Sequence, residues 1–155
     1  LVEEAMQRRG LELPRTYRIA AVDIETGKLS WELREPIFGT WLGFSEKHDL
    51  LLQASAKASD RLATESGQGM AVLQGRDGRL VWKNEELKYA GPCILHNDWI
   101  ITNVNSYTVS AGAYSLETGK PKLVPNPLTG VEQPWTLTRA YGCNHIVASE
   151  NMLTY

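Results

Sequence analysis

The residues best suited to chemistry are few and scattered. The 155-residue chain holds three histidines, His48, His96 and His145, and two cysteines, Cys93 and Cys143. Cys143 and His145 stand two apart, and on an extended strand that spacing sends both side chains to one face. Such a Cys-x-His pair facing a channel is suited to binding a metal or a small ligand. His48 and His96 fall in the polar turns of two hairpins of the same kind. They read as surface turn residues that recur because the sequence repeats. Neither cysteine belongs to a Cys-x-x-Cys or a Cys-x-x-Cys-His, so the spacing encodes no thiolate zinc site and no haem attachment. They read as two small buried hydrophobes, with a disulfide, to each other or to a cysteine elsewhere, as the alternative. The Gly-rich phosphate loops, His-Glu-x-x-His and Gly-x-Ser-x-Gly are not written in the chain. The residues by themselves therefore assign no catalytic, no cofactor-binding and no metal position.

Composition narrows the classes further. With 43% hydrophobic and 22% charged residues the chain is built to pack a core, and its length predicts one domain. A net charge of −2 gives no general attraction to nucleic acid or to anionic lipid. Arg8-Arg9 is the one adjacent basic pair, and the tyrosines and tryptophans carry no interleaved Arg or Lys, which argues against a nucleic-acid stacking face. No run of about 18 apolar residues predicts a membrane-spanning helix, and the opening Leu-Val-Glu-Glu is not a secretory leader.

What must position any site is legible in a phrase written three times. It reads Ala21-Val-Asp23-Ile-Glu-Thr26-Gly27-Lys28-Leu-Ser-Trp31, then Ala71-Val-Leu-Gln-Gly-Arg-Asp77-Gly78-Arg79-Leu-Val-Trp82. The third copy, Ala113-Tyr-Ser-Leu-Glu-Thr118-Gly119-Lys120-Pro121-Lys-Leu123, is more worn, with Leu123 at the place of the tryptophan. The turn glycines lie 51 and then 41 residues apart, a period that points to propellers, solenoids or arrays. Each phrase is a hairpin: an apolar strand, a tight turn whose glycine permits positive φ, and a return strand. A Trp of this kind buries roughly 150–250 Å², and a small cross-strand Ala leaves it room.

Between these hairpins runs a second kind, with polar turns at Glu46–Asp49, His96–Asp98 and Ser149–Asn151. One hairpin of each kind makes a four-stranded antiparallel sheet of the size of a propeller blade. Residues 1–16 read as a charged tail or inter-strand loop with one or two helical turns, stopped by Gly10 and Pro14. Residues 17–155 read as an all-β partial β-propeller of two full blades plus two half blades. Propellers close with four to eight blades, so the expectation is a fragment of a larger propeller, whose missing blades are its first partner. Ser55–Gln68 and Pro125–Gln133 read as rim loops, where a protein partner or a small ligand docks.

The first copy, complete from Ala21 to Trp31, resembles the tryptophan-docking motif of quinoprotein-type β-propellers. That family includes PQQ-dependent alcohol dehydrogenases and a non-enzymatic outer-membrane assembly scaffold. Ala54–Asp60, Gly91–His96 and Tyr141–Glu150 look like the PQQ-like repeat proteins of planctomycete-type bacteria. The resemblance covers roughly residues 17–155 and implies an exported protein, periplasmic or extracellular. It implies no catalytic residue here: the dehydrogenases need calcium ligands, a catalytic Asp and an adjacent Cys-Cys pair, and none maps onto this chain. The expectation is a non-catalytic binding or scaffold module without evident cofactor. The alternative is part of a PQQ-dependent dehydrogenase whose quinone and calcium site lies partly outside these residues.

Overall fold

The computed structural model describes residues 2–12, 17–55, 68–89, 93–103, 111–137 and 147–154. The tail forms one short helix, α1 (Val2–Arg8), with an i,i+4 ion pair between Glu4 and Arg8. The other elements among the described residues are strands. A first hairpin joins β1 (Ile19–Val22) to β2 (Leu29–Leu33). A four-stranded antiparallel sheet follows, β3 (Trp41–Ser45), β4 (Leu50–Ala54), β5 (Gln68–Gln74) and β6 (Leu80–Lys88), in simple sequence order. The next sheet is built from β7 (Ile94–His96), β8 (Trp99–Ile101) and β9 (Ala111–Ser115). Then come β10 (Leu123–Pro125), β11 (Glu132–Pro134) and β12 (Thr136–Leu137). A last hairpin pairs β13 (Val147–Ser149) with β14 (Met152–Thr154). Two full four-stranded blades are thus flanked by two half blades, the architecture of a partial β-propeller.

The second full blade departs from the sequence reading. Its fourth strand was expected at Pro121–Val124, with a loop after it. In the structure Tyr114 bridges Pro121 and the strand then leaves the sheet. Residues 123–125 and 132–134 form their own hairpin, β10–β11, and the strand resumes as β12 beside β9. The rim loop expected over Pro125–Gln133 is therefore the tip of an inserted hairpin. Its turn repeats the chemistry of the others: Gly130 N–H donates to the Asn126 carbonyl at 2.8 Å, as Gly27, Gly78 and Gly119 do to Asp23, Gln74 and Ser115. The other expected loop, over residues 56–67, lies outside the described residues.

Counting from the turn glycine aligns the copies better than counting from the alanine. Six residues before the glycine stand Ala21, Val72 and Ala113; Ala21 pairs with Trp31 and Val72 with Trp82. Ala71 of the second phrase faces Lys83 instead, so the extra residue lies between that alanine and the turn. In the third copy the ladder Ala111–Leu137, Gly112–Thr136 stops one residue short of Trp135, and the Ala113 carbonyl accepts from Lys122 N–H at 2.8 Å. Trp135 packs against the cluster of Ile101, Ala113 and Leu137, and its backbone N–H donates to the Lys122 carbonyl at 2.7 Å. The third tryptophan is thus present, displaced twelve residues past Leu123 by the inserted hairpin. Leu123 itself is half exposed on that hairpin.

The core sits in the first full blade and spreads to its neighbour. Leu50, Leu52, Ala54, Met70 and Val72 pack with Cys93, Ile100 and Leu116 of the next blade, under Trp82 and Trp41. One buried polar side chain has a clear task. Gln53 is fully buried; its Oε1 accepts from Phe38 N–H and its Nε2 donates to the Pro36 carbonyl, both at 2.9 Å. Both amide groups are thereby satisfied, and the crossing segment between β2 and β3 is tied to β4.

Truncating the first docking tryptophan, Trp31→Ala, costs about 3–5 kcal/mol of unfolding free energy, as large aromatic truncations in packed sites do. Urea unfolding followed by circular dichroism measures it, and a loss below about 1 kcal/mol contradicts the packing role.

Candidate functional site

The features that recur across the blades sit between them, on two levels. The outer level is the tryptophan. Trp31 Nε1 donates to the Gly75 carbonyl of the next blade at 2.8 Å, and Trp82 Nε1 donates to the Leu116 carbonyl of the one after at 2.7 Å. Each ring lies against the turn glycine of the receiving blade. A Cβ on Gly78 would stand 2.6 Å from Trp31, and one on Gly119 would stand 2.9 Å from Trp82, with both backbones at φ near +70°. Glycine is required there twice over, for the left-handed turn and for the approach of the indole.

The inner level is made by the polar turns. His48 Nε2 lies 2.7 Å from Asp98 Oδ1, and Lys47 Nζ donates to the same oxygen at 2.8 Å. His48 Nδ1 lies 3.7 Å from a Glu117 carboxylate oxygen. The His48 side chain is mostly buried between blades. His96 Nε2 lies 2.6 Å from the Glu150 carbonyl of the following hairpin. The reading of both histidines as bland surface turn residues is therefore corrected: each bridges to the next blade. Sequence reasoning missed this because it compared the turns with one another and not with their neighbours. His145 and Cys143, the pair expected to share a strand face, lie outside the described residues.

The electrostatics follow the contacts. Hydrogen bonds from Lys47 and then His48 hold the Asp98 carboxyl below the usual carboxylate range. Asp49 is likewise lowered, chiefly by the Gln74 amide, which donates to both its carboxylate and its carbonyl. Asp23 is lowered by Thr26, whose hydroxyl and N–H both donate to it. Cys93 is a free, buried thiol whose pKa burial pushes up to about 12. Burial in an apolar site keeps this thiol protonated and a poor nucleophile at neutral pH. Among the described residues no three His, Cys, Asp or Glu side chains stand together as metal ligands.

A cleft of about 530 Å³ opens between the second full blade and the β13–β14 hairpin. Trp99, Trp135 and Met152 give it apolar walls, and Lys47, His96 and Asp98 line it as well. The Lys122 ammonium stands 4.7 Å from the Trp99 ring centroid, a cation–π contact on the cleft wall. What this arrangement offers is an aromatic slot for a flat or extended group, with charge at its edge. Asp98 at its edge is paired with His48 in the inter-blade tie already described, and no Ser, Thr or Cys stands among its lining residues.

Comparison with known proteins adds the following. No family model and no curated protein matches the sequence. Among solved structures the chain is similar to BamB from Moraxella catarrhalis, at 14% identity and a TM-score of 0.48, over 66% of this chain and 28% of that one. It is also similar to a europium-containing methanol dehydrogenase, at 13% identity and a TM-score of 0.48, over 68% of this chain and 21% of that one. The chain thus spans about a quarter of the length of those two proteins. No described helix is long and apolar enough to cross a membrane.

Two outcomes are expected. A carboxylate with a lowered folded pKa stabilises the fold above its unfolded value and loses that contribution as pH falls through the folded value. Asp98→Asn therefore shrinks the drop in urea midpoint between about pH 6 and about pH 3; an unchanged drop contradicts the pairing. In a Cys143→Ser background, Cys93 stays unreactive toward a thiol reagent in native protein at about pH 8 and reacts once unfolded. Fast native labelling contradicts its burial.

Proposed function

We propose that residues 17–155 belong to a non-catalytic binding or scaffold propeller of the quinoprotein type. One observation carries this reading: the described histidines and their carboxylate partners are engaged in holding blade to blade. Asp98 is held by Lys47 and His48, and His96 meets a backbone carbonyl. The cysteine within reach of description is buried and protonated. The repeated Thr-Gly…Trp phrase, with its docking geometry at Trp31 and Trp82, supports the quinoprotein-type family and the likeness to PQQ-like repeat proteins.

The partner-binding element in this reading is the inserted β10–β11 hairpin. It breaks into the outermost strand of a blade, and it presents Leu128, 93% exposed, and Val131, 66% exposed. Rigid scaffolds carry binding residues on such rim insertions. Placement outside the cytoplasm rests on the resemblance to exported propellers, since the Cys93 thiol is free.

The reading is tested by adding pyrroloquinoline quinone and calcium to the purified protein. The expected result is neither stoichiometric binding nor reduction of an electron-acceptor dye. Tight one-to-one binding with dye reduction would overturn the scaffold reading in favour of the dehydrogenase one.

A further inference from the structure

One glycine turn differs from the rest in its chemistry. The turns at Thr26-Gly27, Thr118-Gly119 and Thr129-Gly130 carry a threonine before the glycine, whereas the turn that receives Trp31 carries Asp77-Gly78. Each of the three threonine hydroxyls accepts from the N–H two residues on, at 3.3 Å, and Asp77 Oδ1 accepts from Arg79 N–H at 3.0 Å in the same way. Asp77 therefore closes its turn as the threonines do, but it places a carboxyl beside a glycine nitrogen. No other Asp-Gly and no Asn-Gly is written in the chain. In such a dipeptide the backbone nitrogen, unhindered by a following side chain, readily attacks the carboxyl carbon before it. The bond from Gly78 N to Asp77 Cγ forms, water leaves and a succinimide ring results. Water then adds to the Asp77 main-chain carbonyl and breaks its bond to nitrogen, which leaves Gly78 joined through Cγ as an isoaspartyl link. The net change is an isomerisation and needs no oxidant or reductant.

The folded junction holds both reacting groups. Gly78 N–H donates to the Gln74 carbonyl at 2.9 Å, and the Asp77 carboxylate is engaged by Arg79 N–H. The start of the turn is pinned from outside. Gly75 N–H donates to the Asp49 carbonyl at 2.7 Å, Arg76 pairs with the Asp49 carboxylate at 3.0 Å, and Trp31 Nε1 holds the Gly75 carbonyl at 2.8 Å. The indole lies so close over Gly78 that a Cβ there would stand 2.6 Å from it. The Asp77 side chain itself is exposed, so water is at hand. Bringing the Gly78 nitrogen onto Cγ requires the Asp77–Gly78 peptide to turn, which breaks both bonds and shifts Gly78 beneath the ring. We propose that Asp77-Gly78 is a latent isoaspartate site gated by Trp31, closed while the indole is docked and open when it leaves. Conversion lengthens the main chain of the turn by one carbon and moves the carboxylate onto Cα. The turn then no longer offers Gly78 and the Gly75 carbonyl together to the indole, so a prolonged undocking becomes permanent. The inference concerns a covalent change at a blade junction and stands apart from the binding role proposed above.

Isoaspartate is read by methyl transfer from an isoaspartyl methyltransferase and placed by mass spectrometry, after incubation at neutral pH beside a free peptide of residues 73–82. A turn that reacts only when open reacts at the peptide's rate scaled by its open fraction, so the native parent is expected to be slower than the peptide by about tenfold or more. Trp31→Ala, checked for a native circular dichroism spectrum, is expected to approach the peptide's rate. Asp77→Thr, which keeps the turn bond, forms none at this position. The same alanine substitution at Trp82 frees the Gly119 turn instead, so it separates local release from general loss of stability; its rate stays nearer the parent's. If either alanine variant loses its native spectrum, Trp31→Phe and Trp82→Phe replace the pair, and only Trp31→Phe is expected to be faster than the parent. A parent as fast as the peptide overturns the proposal, as does a native Trp31 variant as slow as the parent or no faster than its Trp82 counterpart. Permanence is read by ageing the chains unfolded in guanidinium and refolding them. The urea midpoint of the aged parent falls and that of aged Asp77→Thr does not; an unchanged parent midpoint, with isoaspartate formed, contradicts the lasting effect.

Discussion

An indole laid on a glycine turn is the contact on which the rest of this structure depends. It joins one blade to the next through Trp31 on the Gly75–Gly78 turn and Trp82 on the Leu116–Gly119 turn. Two terms combine in it. The ring removes a large apolar area from water, and its N–H satisfies a turn carbonyl that would otherwise face a neighbouring hydrophobic surface. The approach of the ring requires the turn residue beneath it, Gly78 or Gly119, to lack a side chain. That requirement explains why the Thr-Gly or Asp-Gly turn and the tryptophan travel together along the sequence.

The inner turns supply a second, polar tie. Where the outer contact is apolar and repeated in kind, the inner one varies: a carboxylate shared by Lys47 and His48 at one junction, a carbonyl facing His96 at the next. The polar turns differ in length, four residues at Glu46–Asp49 and two at Asn97-Asp98, so their side chains cannot reach equivalent partners. A structure in which each unit touches only its neighbours sums such junctions in series.

Much of the fold was legible in the sequence because turn chemistry is local. Thr26 and Asp23 close their turn through side-chain bonds to backbone within three residues, and such signals survive in any copy. The hairpin count and the two full and two half blades followed from them. The inserted β10–β11 hairpin was not legible as such, because Asn126–Gly130 looks like an ordinary loop until its flanks are seen to pair. That insertion hid the third tryptophan: spacing pointed to Leu123, and only the cross-strand register identifies Trp135. A third Thr-Gly pair, Thr129-Gly130, was the available clue. The candidate site was less legible. The histidine bridges depend on the neighbouring blade, about 50 residues away in sequence, and no local pattern encodes such a distance.

The most direct measurement is a double-mutant cycle between Trp82 and Gly119, read as urea unfolding free energies of the parent, Trp82→Ala, Gly119→Asn and the double variant. If the indole rests on the glycine, adding a side chain at residue 119 costs less once the ring is gone. The two changes should then couple by about 0.5–3 kcal/mol. Additivity within about 0.3 kcal/mol would contradict the docking contact and with it the account of how the blades are joined.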